Sequence, residues 1–241
     1  MMNFDTRSSE IEMMDDPSVD LGSLQEILFD INRVNVILNG YTITLKAIKK
    51  IIHENPKNSY TIIDMGCGDG TMLRKVVRYF KNEPFKLNLI GIDLSENGIE
   101  IAKAMSTSFP NISYQNRDIL SLEAHEIDCD IVLSTLTMHH FSSQEIPLFL
   151  DQFVKVARLG VIINDLQRSK LAYGLFWIFS LIFIKTKVGK SDGLVSIKRG
   201  FVLSDLMAFS QNIPNVLHTI KWKWAFRYLW VLRTKTAEGY E

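Results

Sequence analysis

Cysteine is scarce in this chain: Cys67 and Cys129 are the two in 241 residues. Neither lies in a Cys-x-x-Cys pair, so the sequence supports neither a disulfide scaffold nor zinc activation of a thiol, and a reducing cytoplasmic setting is expected. Net charge is missing as well. The 27 basic residues balance the 27 acidic ones, so no global field draws polyanions, and a nucleic-acid partner is not expected. Internal repeats and low-complexity tracts are absent. The first twenty residues are acidic and lack the basic-then-apolar order of a signal peptide. They read as an arm or a piece of a lid. One uncharged run, LAYGLFWIFSLIFI at 171–184, would reach about 21 Å as a helix, against about 30 Å for a bilayer's hydrocarbon core. It is too short to span one.

What is present is a globular composition, 46% hydrophobic and 22% charged. Apolar residues at Leu24, Ile27, Leu28, Ile31, Val34 and Leu38 predict a helix over 23–38, with Ser23 and Glu26 as a capping box and Asn39-Gly40 as its stop. A second helix is expected over 42–54, ending at Asn55-Pro56. Then strand and helix alternate. Strands are predicted over 60–64, 87–92, 112–115, 131–134 and 160–164, with helices from about 70, from 95, and from Ile146 to Ala157. Such alternation implies a parallel sheet covered on both faces. The segments 216–222 and 227–233, a short turn apart, should pair antiparallel. The expected fold is therefore α/β: a Rossmann-like three-layer αβα sandwich around a seven-stranded, mostly parallel sheet closed by an antiparallel hairpin. Residues 1–56 would form an arm and cap helices, and 57–241 the ligand-binding domain with a lid insertion at about 168–200. Ligands of such sheets bind beyond the carboxyl ends of the strands, where Asp64, Asp93, Asp118, Ser134 and Asp165 fall.

The stretch TIIDMGCGDG carries Gly66, Gly68 and Gly70 as G-x-G-x-G, and Thr71 stands where a dinucleotide fingerprint needs its third glycine. No lysine follows Gly70, so a P-loop fails too. Asp64 and Asp69 would repel a pyrophosphate but suit a ligand carrying an ammonium and a sulfonium. Asp93, 27 residues after Gly66, is placed to accept from both ribose hydroxyls. Asp118 could accept from an exocyclic adenine amine while Ile119 packs on the ring.

The motifs IIDMGCGDG, GIDLSENGIEIAKA, QNRDIL and VLSTLTMHHF resemble, in order, those of class I S-adenosylmethionine-dependent methyltransferases. The resemblance covers about 58–165 and the terminal hairpin. It implies S-adenosylmethionine as cofactor and S-adenosylhomocysteine as product, bound along Asp64, Gly66, Cys67, Gly68 and Gly70. By that resemblance Asp64, Gly66 and Gly68 line the methionine end and Asp93 holds the ribose. Leu94 and Ile119 flank the adenine, Asp118 meets its amine, and Ser134 and Thr135 lie under the sulfonium. Cys67 simply fills the small space in the turn. A looser likeness, through EMMDDPSVDLGSLQEILFDINRVNVILNG, SDGLVSIKRGF and WAFRYLWVLR, is to bacterial methyltransferases of polyketide and phenolic-lipid biosynthesis.

The acceptor should then be a small hydrophobic molecule, a phenol, polyketide or quinone-like compound methylated at oxygen. His139, His140 and Asp165 are the candidates for handling its proton, with His139 ahead of His140. No metal is expected, because Ser134 stands after the fourth strand where a metal-dependent relative would place a carboxylate. The run 171–184 could be a lid, an interfacial membrane helix flanked by Arg168, Lys170, Lys185, Lys187 and Lys190, or a buried packing or dimer helix. Arg199 is expected in a surface salt bridge or against an acidic group of the acceptor. Rival readings are a nicotinamide-dependent oxidoreductase and a catalytically inactive partner subunit docking through 171–184.

Overall fold

The computed structural model describes residues 4–16, 18–123, 126–213 and 215–234. Two helices lead in, α1 (Leu21–Ile37) and α2 (Gly40–Glu54). The alternating part follows as β1 (Ser59–Met65), α3 (Thr71–Tyr79), β2 (Lys86–Asp93), α4 (Glu96–Met105), β3 (Ile112–Asn116), β4 (Cys129–Thr135), α5 (Ile146–Val156) and β5 (Ala157–Leu166). Three helices, α6 (Lys170–Phe183), α7 (Lys187–Arg199) and α8 (Leu203–Gln211), precede the hairpin of β6 (Val216–Lys223) and β7 (Arg227–Thr234). The strands form one seven-stranded sheet in the order β3-β2-β1-β4-β5-β7-β6. β1 to β5 run parallel, while β7 is antiparallel to both β5 and β6.

Side-chain alternation explains the layers. Ile62 faces a core shared with Ile48 and Ile51 of α2 and Leu73 and Val76 of α3, whereas Ile63 faces one shared with Leu150 and Phe153 of α5 and Phe209 of α8. Both sets are almost wholly removed from water. Strand order reverses between β1 and β4, and a crevice opens beyond their carboxyl ends.

Some boundaries differ from the sequence-based expectation. α1 begins at Leu21, because Asp20 caps it by accepting from the Ser23 amide at 3.0 Å. Ser23 thus sits inside the first turn, its hydroxyl donating to Asp20 at 2.6 Å. Asn39 does end the helix in a left-handed conformation (φ 56°), but Gly40 immediately starts α2. Ala157 is not helical: it is extended and pairs with Cys129 as the first residue of β5.

Asp130, near the start of β4, illustrates how the sheet handles a buried charge. Its carboxylate is 2% exposed and accepts from Lys57 Nζ, from the Thr61 amide at 3.0 Å and from Arg158 Nη2 at 3.0 Å. Burial alone would raise its pKa, but these donors outweigh burial and hold it below the ordinary carboxylate value. A depressed folded-state pKa contributes stability above the unfolded value of about 4, lost as pH falls through the folded one. Asp130→Asn is therefore expected to cost about 1 kcal/mol at neutral pH, the low end because Lys57 and Arg158 are partly wet. The difference should shrink at acid pH. Urea midpoints of both proteins at pH 7 and at about pH 3 check this; an equal gap at both would disprove it.

Candidate functional site

β1 delivers Asp64 to the crevice, and the chain then turns through three left-handed glycines, Gly66 (φ 76°), Gly68 (φ 51°) and Gly70 (φ 74°). Space is as tight as the dihedrals. A Cβ on Gly66 would stand 2.2 Å from Thr137 Cγ2, and one on Gly70 would stand 2.1 Å from the Tyr114 hydroxyl. Asp93, at the tip of β2, ties the turn in place: its oxygens accept from the Gly68 amide at 2.8 Å and the Ser95 amide at 2.9 Å. Burial raises its pKa, partly offset by those amides.

Two further acids flank the turn in opposite circumstances. Asp69 is fully engaged, accepting from Asn32 Nδ2 (2.7 Å), the Thr71 amide (2.9 Å) and hydroxyl (2.8 Å), and Arg74. Asp64 is 2% exposed, and its Oδ1 has no hydrogen-bond partner. Burial first, then the charges of Asp93 and Asp69, push its pKa well above the usual range. A second orphan carries the opposite charge. Arg227, at the start of β7, is 2% exposed and donates through Nη2 to Asn35 Oδ1, while Nε and Nη1 have no partner. Its burial lowers its pKa to about 10. The Tyr41 hydroxyl feels the charges of Asp69, Arg227 and Asp64 together.

Both orphans line one cavity of about 1050 Å³. Near the turn its wall includes Gly66, Cys67, Gly68, Asp93, Leu94, Asp118, Ile119 and Thr135. Leu94 is exposed and Ile119 buried, and Asp118 accepts from the Leu120 amide at 2.9 Å. Gly70 stands behind this wall, capping α3. So does Ser134: successive strand residues face opposite sides, and its buried hydroxyl points away from the cavity that Thr135 lines. The Cys67 thiol, its pKa raised by burial, is a packing group, as its setting in the turn suggested.

The cavity is also walled by the strap of residues 4–16, through Glu12, Met14, Asp15 and Asp16. Asp192 of α7 accepts from the Met13 and Met14 amides at 2.9 Å each. Arg7 donates to the carbonyls of His139 (3.0 Å), Phe141 (2.8 Å) and Arg199 (2.8 Å). Arg199 is itself buried and donates to the carbonyls of His139 (2.9 Å), His140 and Glu10, so it braces this turn and makes no surface salt bridge. Inside the strap, Glu12 meets the two histidines. His139 Nδ1 lies 2.7 Å from Asp165 Oδ1 and its Nε2 lies 3.4 Å from Glu12 Oε1. His140 Nδ1 lies 2.8 Å from Asp15 Oδ2 and its Nε2 lies 4.0 Å from Glu12 Oε2.

Asp165 does not reach the cavity; it sits behind His139 and orients that ring. Burial would lower the pKa of His139, but Asp165 and Glu12 prevail and raise it to about 10. The two carboxylates thus hold the ring between them, one at each nitrogen. His140 is the more open of the two. Glu12, His139 and His140 bring three ligand-type atoms within 4.8 Å of one another, the one such group among the described residues. The sequence hid it. The strand ends hold no carboxylate for a metal after β4, and Glu12 arrives from more than a hundred residues away.

A family model described as a methyltransferase domain matches residues 62–160. The carboxy-S-adenosyl-L-methionine synthase of a Nitratiruptor species is 30% identical over 82 residues, 34% of this chain and 33% of that protein. The match thus spans about a third of that relative's length. The plantazolicin methyltransferase BpumL, solved with S-adenosylhomocysteine, superposes with a TM-score of 0.69 at 17% identity, covering 92% of this chain and 94% of the other. A SAM-dependent methyltransferase from Aquifex aeolicus gives 0.61 at 13% identity over 89% and 98%. Magnesium protoporphyrin IX methyltransferase from Synechocystis PCC 6803 gives 0.54 at 14% over 81% and 84%. Residues 62–160 thus match a methyltransferase domain, in a chain that has the fold of S-adenosylmethionine-dependent methyltransferases.

Proposed function

We propose that this chain transfers a methyl group from S-adenosylmethionine to an oxygen of a small hydrophobic acceptor of phenolic, polyketide or quinone-like type. The observation that carries the cofactor is the pair of buried orphans. Asp64 Oδ1 and the free donors of Arg227 open on one cavity with opposite charge, and an α-amino-acid zwitterion complements both. Nicotinamide dinucleotides carry no ammonium for Asp64 to meet. Gly66 and Gly68 leave backbone space beside it, Asp93 has lone pairs left for ribose hydroxyls, Leu94 and Ile119 flank the adenine, and Asp118 takes its amine. Thr135 lies toward the sulfonium end. The cofactor, when bound, supplies an electrophilic methyl on sulfur.

This chain's own part is to position the acceptor, keep water out and handle a proton. Leu175, Phe176 and Phe179, on the inner face of α6, make an apolar roof on the acceptor side, and the strap adds a further wall. Glu12, His139 and His140 are the groups there able to hold or take a hydroxyl proton, with Asp165 and Asp15 fixing the two rings. Calorimetry with S-adenosylhomocysteine and with NAD tests the cofactor. Binding of the first alone is expected, weakened by Asp64→Asn and Arg227→Ala by about 1.5–3 kcal/mol each, as for hydrogen bonds to charged groups. NAD binding alone would end this reading. Labelled methyl given to cell extract should enter the organic-soluble fraction, and a complete lack of transfer would favour the inactive partner subunit.

A second property of α6 bears on how a greasy acceptor arrives. No helix among the described residues is long and apolar enough to cross a membrane. Yet Leu171, Trp177, Ile178, Leu181 and Ile182 are exposed on the outer face of α6, Lys170, Lys185 and Lys187 flank it, and the helix contains no acid. That pattern suits a helix lying in the headgroup region of an anionic membrane, with the enzyme otherwise in the cytoplasm. Vesicles containing phosphatidylglycerol should sediment the protein, and Trp177→Glu with Ile182→Glu should abolish this without changing affinity for S-adenosylhomocysteine. Equal sedimentation of the double variant would remove the membrane from the account.

A further inference from the structure

Where the strap meets the cavity there is a feature that methyl transfer by proton removal leaves unexplained. Glu12 is 2% exposed, and its Oε1 has no hydrogen-bond partner although imidazoles stand on either side. Both histidines spend Nδ1 on a carboxylate, His139 on Asp165 at 2.7 Å and His140 on Asp15 at 2.8 Å. That leaves Nε2 of each ring turned toward the same Glu12 carboxylate, the rings lying side by side with centroids 4.4 Å apart.

From this geometry we infer a divalent transition-metal site, of the Zn²⁺ class, formed by Glu12, His139 Nε2 and His140 Nε2. Ligation at about 2.0–2.1 Å with tetrahedral angles places ligand atoms about 3.3–3.4 Å apart. His139 Nε2 and Glu12 Oε1 already stand 3.4 Å apart, His140 Nε2 stands 4.0 Å from Oε2 of the same carboxylate, and the three ligand atoms lie within 4.8 Å of one another, so binding would draw them together. Two imidazoles and one carboxylate select zinc, cobalt or iron over magnesium and calcium, which favour oxygen ligands. The carboxylates behind the rings are the outer-shell partners that metal-bound histidines usually have: each fixes which nitrogen is free and makes it more basic. Three protein ligands leave a coordination position open, and all three side chains line the cavity. The site would take the acceptor through an oxygen atom, lowering the pKa of its hydroxyl so that the proton leaves to solvent. The inference rests on the methyltransferase reading only for what the ion does, not for whether it binds.

The test uses the full chain stripped of metal by chelation, then titrated with Co²⁺ and with Zn²⁺. One ion per chain should bind by calorimetry, with visible cobalt absorption bands of a low-symmetry N/O site. Glu12→Gln and His140→Ala should each weaken binding at least tenfold. Asp15→Asn, which removes no ligand, should weaken it 10- to 100-fold, as outer-shell changes do. His53→Ala, on the surface of α2, should leave it unchanged. Absence of stoichiometric binding, or binding that survives Glu12→Gln and His140→Ala, would overturn the site. Affinity for S-adenosylhomocysteine, measured on the same samples, reports both folding and the cofactor reading. Metal-free protein that binds it refutes the ion alone, whereas protein that binds the ion but not the nucleoside refutes the cofactor alone.

Discussion

A charge taken out of water has to be met by another charge or by a full set of hydrogen bonds. That requirement sorts the buried ionisable groups of this chain into two kinds. Asp130 and Asp69 are answered by the protein itself, through Lys57 and Arg158 in one case and Asn32, Thr71 and Arg74 in the other. They hold the fold. Asp64, Arg227 and Glu12 each keep at least one atom unanswered, and all three border the same cavity. A domain of this size would be more stable without them. Their arrangement makes sense for a chamber completed by what enters it.

The glycine turn shows how backbone and charge cooperate. Left-handed dihedrals at Gly66, Gly68 and Gly70 curl the chain so that Gly68 donates to Asp93 from the neighbouring strand. Thr137 closes from the other side, its hydroxyl donating to the Gly66 carbonyl at 3.2 Å. The turn is thus gripped from the tip of β2 and from just beyond β4, which fixes the spacing of Asp64 and Asp93 on the adjacent strands β1 and β2. Position, rather than any single side chain, is what the sheet contributes.

Much of this was legible in the sequence, because local rules govern it. Apolar runs marked β1 and β4, the 3.6 spacing of Ile146, Phe149, Leu150 and Phe153 marked α5, and the two closing segments announced the hairpin. Acids at successive strand ends, Asp64, Asp93 and Asp118, marked where the cavity opens. Where reading failed, the deciding partner was distant. Ser23 lost the cap to a better acceptor three residues earlier. Ala157 went to the sheet because Cys129 was there to pair with it. Arg227 sat unnoticed in WAFRYLW, where alternation explains a base as a wet strand position, yet it is buried against Asn35. Ser134 and Thr135 could not be told apart until the register of β4 was known. Glu12 carried no signal at all, since an acid in an acidic arm looks solvated until α7 and the His139–His140 turn are in place.

The strap also has a place in time. Residues 4–16 leave the ribosome before any of the segments they grip, and the Arg7, Glu12, Met13 and Met14 contacts wait for His139, Asp192 and Arg199. Closing loops of such span is slow and comes after local structure has formed. A nascent chain can therefore have its glycine turn finished and its first two layers packed while the cavity still lacks this wall. The strap is thus the last piece to settle, and a substitution that removes its Arg7 contacts would strike at that step while sparing the sheet.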